Sequence, residues 1–264
     1  MAHRPPIINV MSAAALKAAR GLQRDYGEVD NLQVSRKGPA DFVSAADRRA
    51  EKLLRTALER ARPGFGFLME ESGAAEGTVP GARWIVDPLD GTTNFLHGIP
   101  HFSISIAYQQ DLEIVAGVAY DPLRDEMFWA EKGAGAHVND RRLRVSARKR
   151  IEDAVVATGI PHLGRPGHDR FQDQLSAVME RVAGVRRMGS AALDLAYVAA
   201  GRYDAFWESG LSQWDLAAGL ILVREAGGLI SDLEGGENIL ESGGVIAANA
   251  DLFDSFAALI REAG

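Results

Sequence analysis

The sequence predicts an α/β chain made of two unlike halves, an α+β half over residues 1–147 and an α/β half over residues 148–264. Three observations predict it. Two stretches within the first 62 residues carry apolar side chains at helical spacing. Between residues 102 and 130, three apolar runs are separated by turn residues, the pattern of an antiparallel meander. From Asp153 onward, strand-like and helix-like patterns alternate, which implies a layered α/β arrangement.

Taken in order, residues 7–26 place Ile8, Met11, Ala15, Ala18, Ala19 and Leu22 on one helical face, with Gly27 as the stop. Arg36-Lys37-Gly38-Pro39 reads as a loop. Residues 47–62 form a second amphipathic helix through Ala50, Leu53, Leu54, Ala57 and Leu58, ended by Pro63-Gly64. Residues 65–69 read as a strand with Glu70-Glu71-Ser72 at its end, and loops at strand ends are where sites are built. Trp84-Ile85-Val86 is a buried strand that stops at Asp87-Pro88, because Pro88 has a fixed φ and no donor, so the chain should leave the sheet there. Asp90-Gly91-Thr92-Thr93 then opens a helix with Asp90 as N-cap. The meander follows at 102–108, 112–120 and 126–130. Residues 133–139 read as a loop, and Arg144-Val145-Ser146 as an edge strand. In the second half the strands are 155–158, 185–188, 204–208, 229–231 and 245–248, and the helices 168–183, 191–200, 213–225 and 251–262. The site is expected in the crevice between the halves.

The bulk numbers exclude several classes of function. With 264 residues the chain can bury a sizeable core, and 47% hydrophobic with 25% charged residues is ordinary for a globular protein. A net charge of −7 argues against general nucleic-acid binding. The basic run Arg141-Arg142-Leu143-Arg144 and Arg148-Lys149-Arg150 reads as a solvated loop, with a phosphate or RNA patch as the alternative. The chain has no cysteine, so disulfides, zinc-thiolate sites and cysteine nucleophiles are out, which fits a cytoplasmic setting. No apolar run approaches the roughly 18 residues of a membrane span, and the N-terminus is not patterned as a signal peptide.

The chemistry concentrates in Asp87-Pro88-Leu89-Asp90-Gly91-Thr92-Thr93-Asn94-Phe95. Two carboxylates three residues apart flank a strand-to-helix turn, with backbone N–H groups and two hydroxyls just beyond. Cations can sit between the acids, and an anion on the helix N-terminus. Read alone, an Asp-Pro turn and an N-cap also account for these residues. Trp214-Asp215-Leu216-Ala217-Ala218-Gly219, with Glu225-Ala226-Gly227-Gly228 after it, is a second acidic signal. Asp215 opens a helix, where an ordinary N-cap is again the plain alternative, and Gly227 reads as the C-cap. Met188-Gly189-Ser190-Ala191 is a weaker one, a Gly-Ser turn with donors for an oxygen-rich ligand. The six histidines show no metal-ligand spacing, and packing or surface roles suit His97 and His101.

Together, Glu70-Glu71-Ser72, the Asp87–Phe95 stretch and the Trp214–Gly219 stretch resemble the signatures of the inositol monophosphatase family, in the family's order. The resemblance implies a layered αβαβα sandwich of the inositol monophosphatase and fructose-1,6-bisphosphatase type. It implies two or three Mg²⁺ ions, held by Glu70, Asp87, the Leu89 carbonyl, Asp90 and Asp215, with Asp87 bridging. It implies that Glu70 and Thr92 orient an attacking water while Asp47 hydrogen-bonds Thr92. Asp90, Gly91, Thr92, Thr93, Gly189, Ser190, Ala191, Glu208 and Asp215 would contact substrate. The expected activity is hydrolysis of myo-inositol 1-phosphate by a lithium-sensitive, cytoplasmic homodimer. Relatives acting on fructose 1,6-bisphosphate, histidinol phosphate or nucleotide phosphates supply alternatives, as does a regulatory role with the transcription machinery. The family also places a basic residue near Arg36 and Lys37, and either could face the site. That the acids meet in space belongs to the resemblance, since spacing along the chain does not show it.

Overall fold

The computed structural model describes residues 4–26, 28, 34–38 and 41–263. A hairpin pairs β1 (Val34–Gly38) with β2 (Asp41–Ser44). The large sheet contains β3 (Gly66–Met69), β4 (Gly73–Ala75), β5 (Ala82–Asp90), β6 (Ser103–Gln110), β7 (Glu113–Asp121), β8 (Glu126–Glu131), β9 (Gly135–Val138) and β10 (Arg141–Arg142). Its spatial order is β10-β9-β8-β7-β6-β5-β3-β4. The small sheet contains β11 (Val155–Thr158), β12 (Gly184–Arg186), β13 (Ala205–Glu208), β14 (Gly228–Ser231) and β15 (Val245–Asn249), ordered β12-β11-β13-β15-β14. The helices are α1 (Pro6–Tyr26), α2 (Ala45–Ala61), α3 (Thr92–Leu96), α4 (His168–Met179), α5 (Ala191–Ala199), α6 (Gln213–Glu225), α7 (Ile239–Ser242) and α8 (Phe253–Glu262).

Strand alternation sorts the side chains into layers. In β5, Trp84 and Val86 point to the core shared with α1 and α2, while Ile85 points to the core shared with α5 and α6. In β13, Phe206 faces that same inner core, and Ala205 and Trp207 face a third core beneath α4 and α8. The order is therefore α1/α2, large sheet, α5/α6, small sheet, α4/α8: the expected αβαβα sandwich.

The inner helical layer is thin because its residues are small. A Cβ added at Gly117 of β7 would lie 2.9 Å from the Ala218 Cα and carbonyl oxygen, and one at Gly219 would lie 2.4 Å from Leu195. Close approach brings the N-terminus of α6 over the ends of β5 and β6. There Arg83 donates to Gln213 Oε1 at 3.0 Å, and Ser105 Oγ donates to the Trp214 carbonyl at 3.1 Å.

Several expectations are corrected. Pro88 does not take the chain out of the sheet. β5 continues to Asp90, pairing Asp87 with Ser105 and Asp90 with Ser103, and the proline's missing donor falls in the bulge between them. The 133–139 loop contains β9, and Gly73–Ala75 adds an edge strand β4, making Glu70-Glu71-Ser72 a hairpin turn. Arg144-Val145-Ser146 is not a strand, because the Val145 N–H goes to the Ala226 carbonyl beyond α6 and the edge is Arg141–Arg142. The Arg36–Pro39 loop starts later than expected, since β1 runs to Gly38; Pro39 and Gly27 lie outside the described residues. The basic run is for the most part exposed, as expected, with Arg148 paired to Asp204 and Arg150 to Glu152. Among the described residues, no helix is long and apolar enough to cross a membrane.

Gly117→Ala forces the α6 backbone away from β7. It should cost about 1–3 kcal/mol, read as a melting temperature lower by several degrees on a calorimetric scan.

Candidate functional site

The site begins with the bulge in β5. Extending the strand past Pro88 brings Asp87, Leu89 and Asp90 to one end of the sheet, all buried. The Leu89 N–H donates to Asp87 Oδ1 at 2.8 Å. Asp90 Oδ2 accepts from Ser190 Oγ at 2.5 Å, from the Ala192 N–H at 2.9 Å and from Ser103 Oγ at 3.4 Å. Asp90 therefore reaches across to α5 and does not cap α3. The N-cap of α3 is Gly91, whose φ of 95° is a left-handed conformation that favours glycine. Asp215 is not an N-cap either. Ser212 holds that position, and its N–H donates to Asp215 Oδ2 at 2.7 Å, a capping-box geometry.

These anchors converge. Asp87, Asp90 and Asp215 each place a carboxylate oxygen within 4.8 Å of the others. They line a cavity of about 290 Å³ with Glu70, Thr92 and Glu208. Glu70 stands on the β3–β4 turn, its N–H bonded to the Val86 carbonyl at 3.2 Å, and the next N–H, of Glu71, is held by Glu51 of α2 at 2.8 Å.

Burial and crowding shift the acids upward. Desolvation, then the charges of Glu70, Asp90 and Asp215, push Asp87 well above the ordinary carboxylate range. Desolvation raises Asp90 against the hydrogen bonds from Ser190 and Ala192. Asp215 is pushed up to about 7 by desolvation and then by Asp90. Glu208 goes to about 8 through desolvation, then Asp215 and Asp90, with Arg187 and Arg165 opposing. An all-oxygen, buried and mutually repelling donor set fits a hard divalent cation, which would relieve the repulsion.

Around this centre, Thr92 Oγ lies 3.0 Å from both Asp47 Oδ1 and the Leu89 carbonyl, so its one proton goes to an acceptor on either side. Gly91, Thr92, Thr93, Gly189 and Ala191 line the cavity, and Ser190 sits just behind, bonded to Asp90. Asn94 ties the two loops together, its Nδ2 donating to the His101 carbonyl at 2.8 Å and the Met188 carbonyl at 2.7 Å. His101 is buried against Tyr197 and His97 is exposed, the packing and surface roles expected of them. The side chains of Arg36 and Lys37 lie outside the described residues.

Residues 3–264 match the inositol monophosphatase family. The chain belongs to that family. It is 61% identical over 246 residues to the inositol-1-monophosphatase of Mesorhizobium japonicum, covering 93% of this chain and 92% of that one. It is 45% identical over 260 residues to the Nus factor SuhB of Pseudomonas aeruginosa, covering 97% and 96%. The crystal structure of extragenic suppressor protein suhB from Bartonella henselae superposes with a TM-score of 0.96 at 57% identity, covering 98% and 99%. The family is one of phosphatases, and its layered sandwich is the fold described above.

In this inositol monophosphatase family member, part of the cavity wall comes from residues outside the motifs. Gly159, Arg165 and Arg187 line it. Arg187 is signalled by its place just before the Gly189-Ser190 turn, whereas Gly159 and Arg165 carry no sequence signal. Asp194 of α5 is buried with Oδ1 unpartnered, and desolvation followed by the charge of Glu208 raises its pKa well above normal.

A pH-dependent stability follows. Asp215 titrates near 7 folded and near 3.8 unfolded, so between these values the folded state binds more protons. Without divalent ions, stability from this group is full below the unfolded pKa and lost as pH rises through about 7. Melting scans in chelator should show Asp215→Asn losing less melting temperature than wild type over this range; parallel curves would contradict the shift.

Proposed function

We propose that the protein is a Mg²⁺-dependent phosphomonoesterase whose substrate is myo-inositol 1-phosphate or a closely related polyol phosphate. The observation that carries this reading is the meeting of Asp87, Asp90 and Asp215, drawn from both halves of the chain, within 4.8 Å in an open cavity. Family membership and the inositol-1-monophosphatase name of the Mesorhizobium relative support the substrate class.

In this reading Glu70, Asp87, the Leu89 carbonyl, Asp90 and Asp215 would hold two or three magnesium ions. Magnesium bound there supplies Lewis-acid charge neutralisation and lowers the pKa of water. The chain itself does the positioning. Thr92 donates its proton to Asp47 or the Leu89 carbonyl, which turns a lone pair of its oxygen toward the cavity to accept from the attacking water. Glu70 accepts from the same water, so its approach to phosphorus is fixed on the face opposite the leaving alkoxide. The N–H groups of Gly91, Thr92 and Thr93 hold phosphate oxygens as charge builds on them. Glu208 accepts from ring hydroxyls, with Gly189, Ser190 and Ala191 shaping the wall beside it. The working form is a cytoplasmic homodimer.

A second reading, a binding role with the transcription machinery, is favoured by one observation: the 45% identical relative is named a Nus factor. An Asp90→Asn variant separates the two in cells, since full rescue by a dead enzyme supports binding.

Two outcomes test the catalytic reading. With Mg²⁺ supplied, inositol 1-phosphate should be hydrolysed faster than fructose 1,6-bisphosphate, histidinol phosphate or adenosine 3′,5′-bisphosphate in a phosphate-release assay, and lithium should inhibit. Asp87→Asn removes the charge of one proposed ligand and should lower kcat on the order of a thousandfold or more, with weaker Mg²⁺ binding by calorimetry; retained turnover would refute the assignment.

A further inference from the structure

Gly159 follows β11, which pairs in parallel with β13, placing Thr158 opposite Trp207. Continuing that register by one residue sets Gly159 beside Glu208. Paired residues of neighbouring strands project to the same face, so the Glu208 side chain leans over the place where residue 159 would carry its own. The fit is close. A Cβ built on Gly159 would lie 1.8 Å from Glu208 Oε1, 1.9 Å from Cδ and 2.2 Å from Oε2. Gly159 does not have a positive φ, so its backbone conformation does not itself demand glycine. What requires glycine here is the carboxylate of Glu208. Thr158 Oγ donates to the Gly159 carbonyl at 3.0 Å and steadies the peptide on which that carboxylate rests.

We propose that Gly159 is a specificity-determining positioning residue, whose missing side chain seats Glu208 against the cavity wall where it can receive the hydroxyls of a polyol phosphate. The inference rests on the phosphatase reading for its substrate and on the seat itself for its geometry. The part that yields to a methyl group at 159 is the free end of Glu208, because it is the tip of a flexible side chain. Asp215, Asp90, Arg187 and Arg165 line the same cavity, the two acids repelling its charge and the two arginines attracting it. Displaced in its ionised form, the carboxylate is drawn to the arginines and away from the ligand.

The test compares Gly159→Ala, Glu208→Ala and the double variant with wild type, using inositol 1-phosphate and p-nitrophenyl phosphate, which has no ring hydroxyls. Gly159→Ala should raise KM for inositol phosphate by about tenfold or more, the loss of a charge-assisted hydrogen bond, with kcat little changed. The same variant should lose less than about threefold in kcat/KM on p-nitrophenyl phosphate. The double variant should be no worse on inositol phosphate than Glu208→Ala alone, because both changes remove one interaction. Equal losses on both substrates, an unchanged KM for inositol phosphate, or additive losses in the double variant would overturn the proposal. A crystal structure of Gly159→Ala decides it independently of activity: Glu208 turned toward Arg187 supports the seat, and Glu208 unmoved with the 159 loop displaced refutes it. Should wild type cleave p-nitrophenyl phosphate but no polyol phosphate, the substrate reading fails while this structural comparison still judges Gly159.

Discussion

The structure is organised around an electrostatic cost. Asp87, Asp90 and Asp215 are brought together by folding, with Glu70 beside them, and no pair of these charges attracts another. Desolvation adds to the repulsion, as the upward shifts of Asp87, Asp90 and Asp215 record. Backbone and hydroxyl donors offset part of it. Leu89 serves Asp87, Ser190 and Ala192 serve Asp90, and Ser212 serves Asp215. Those donors fix where each carboxylate stands before any cation arrives, which is what a preorganised hard-cation site needs.

Meeting that cost requires two elements distant in sequence to come very close. The bulge around Pro88 extends β5 far enough to present both Asp87 and Asp90. The small residues of α5 and α6 let the inner helical layer settle onto the sheet, with Gly117 against Ala218 and Gly219 against Leu195. Arg83 and Ser105 then clasp the first turn of α6, where Asp215 stands. Packing in the thin layer and charge placement in the cavity are one design, because loosening the first spreads the second.

Much of the fold was legible because periodicity reports burial directly. The apolar spacing of α1 named residues that are buried, and α6 ends at Glu225, ahead of its Gly227 stop. Errors gathered where a local rule met a tertiary override. Pro88 should end a strand, yet a bulge absorbs its missing donor. Asp90 should cap α3, yet Ser190 and Ala192 take its carboxylate. Val145 should extend the sheet, yet the carbonyl of Ala226 takes its N–H.

The sequence alone determined the layered α/β class, the family resemblance and the identity of the acids. Those follow from residue type and order, which a linear chain states openly. Only the tertiary structure decided that Asp87, Asp90 and Asp215 share one point, and that Gly159 lies under the Glu208 carboxylate with Arg165 and Arg187 along the same wall. Distances between residues far apart along the backbone are set by strand register and helix packing, and no local pattern encodes them.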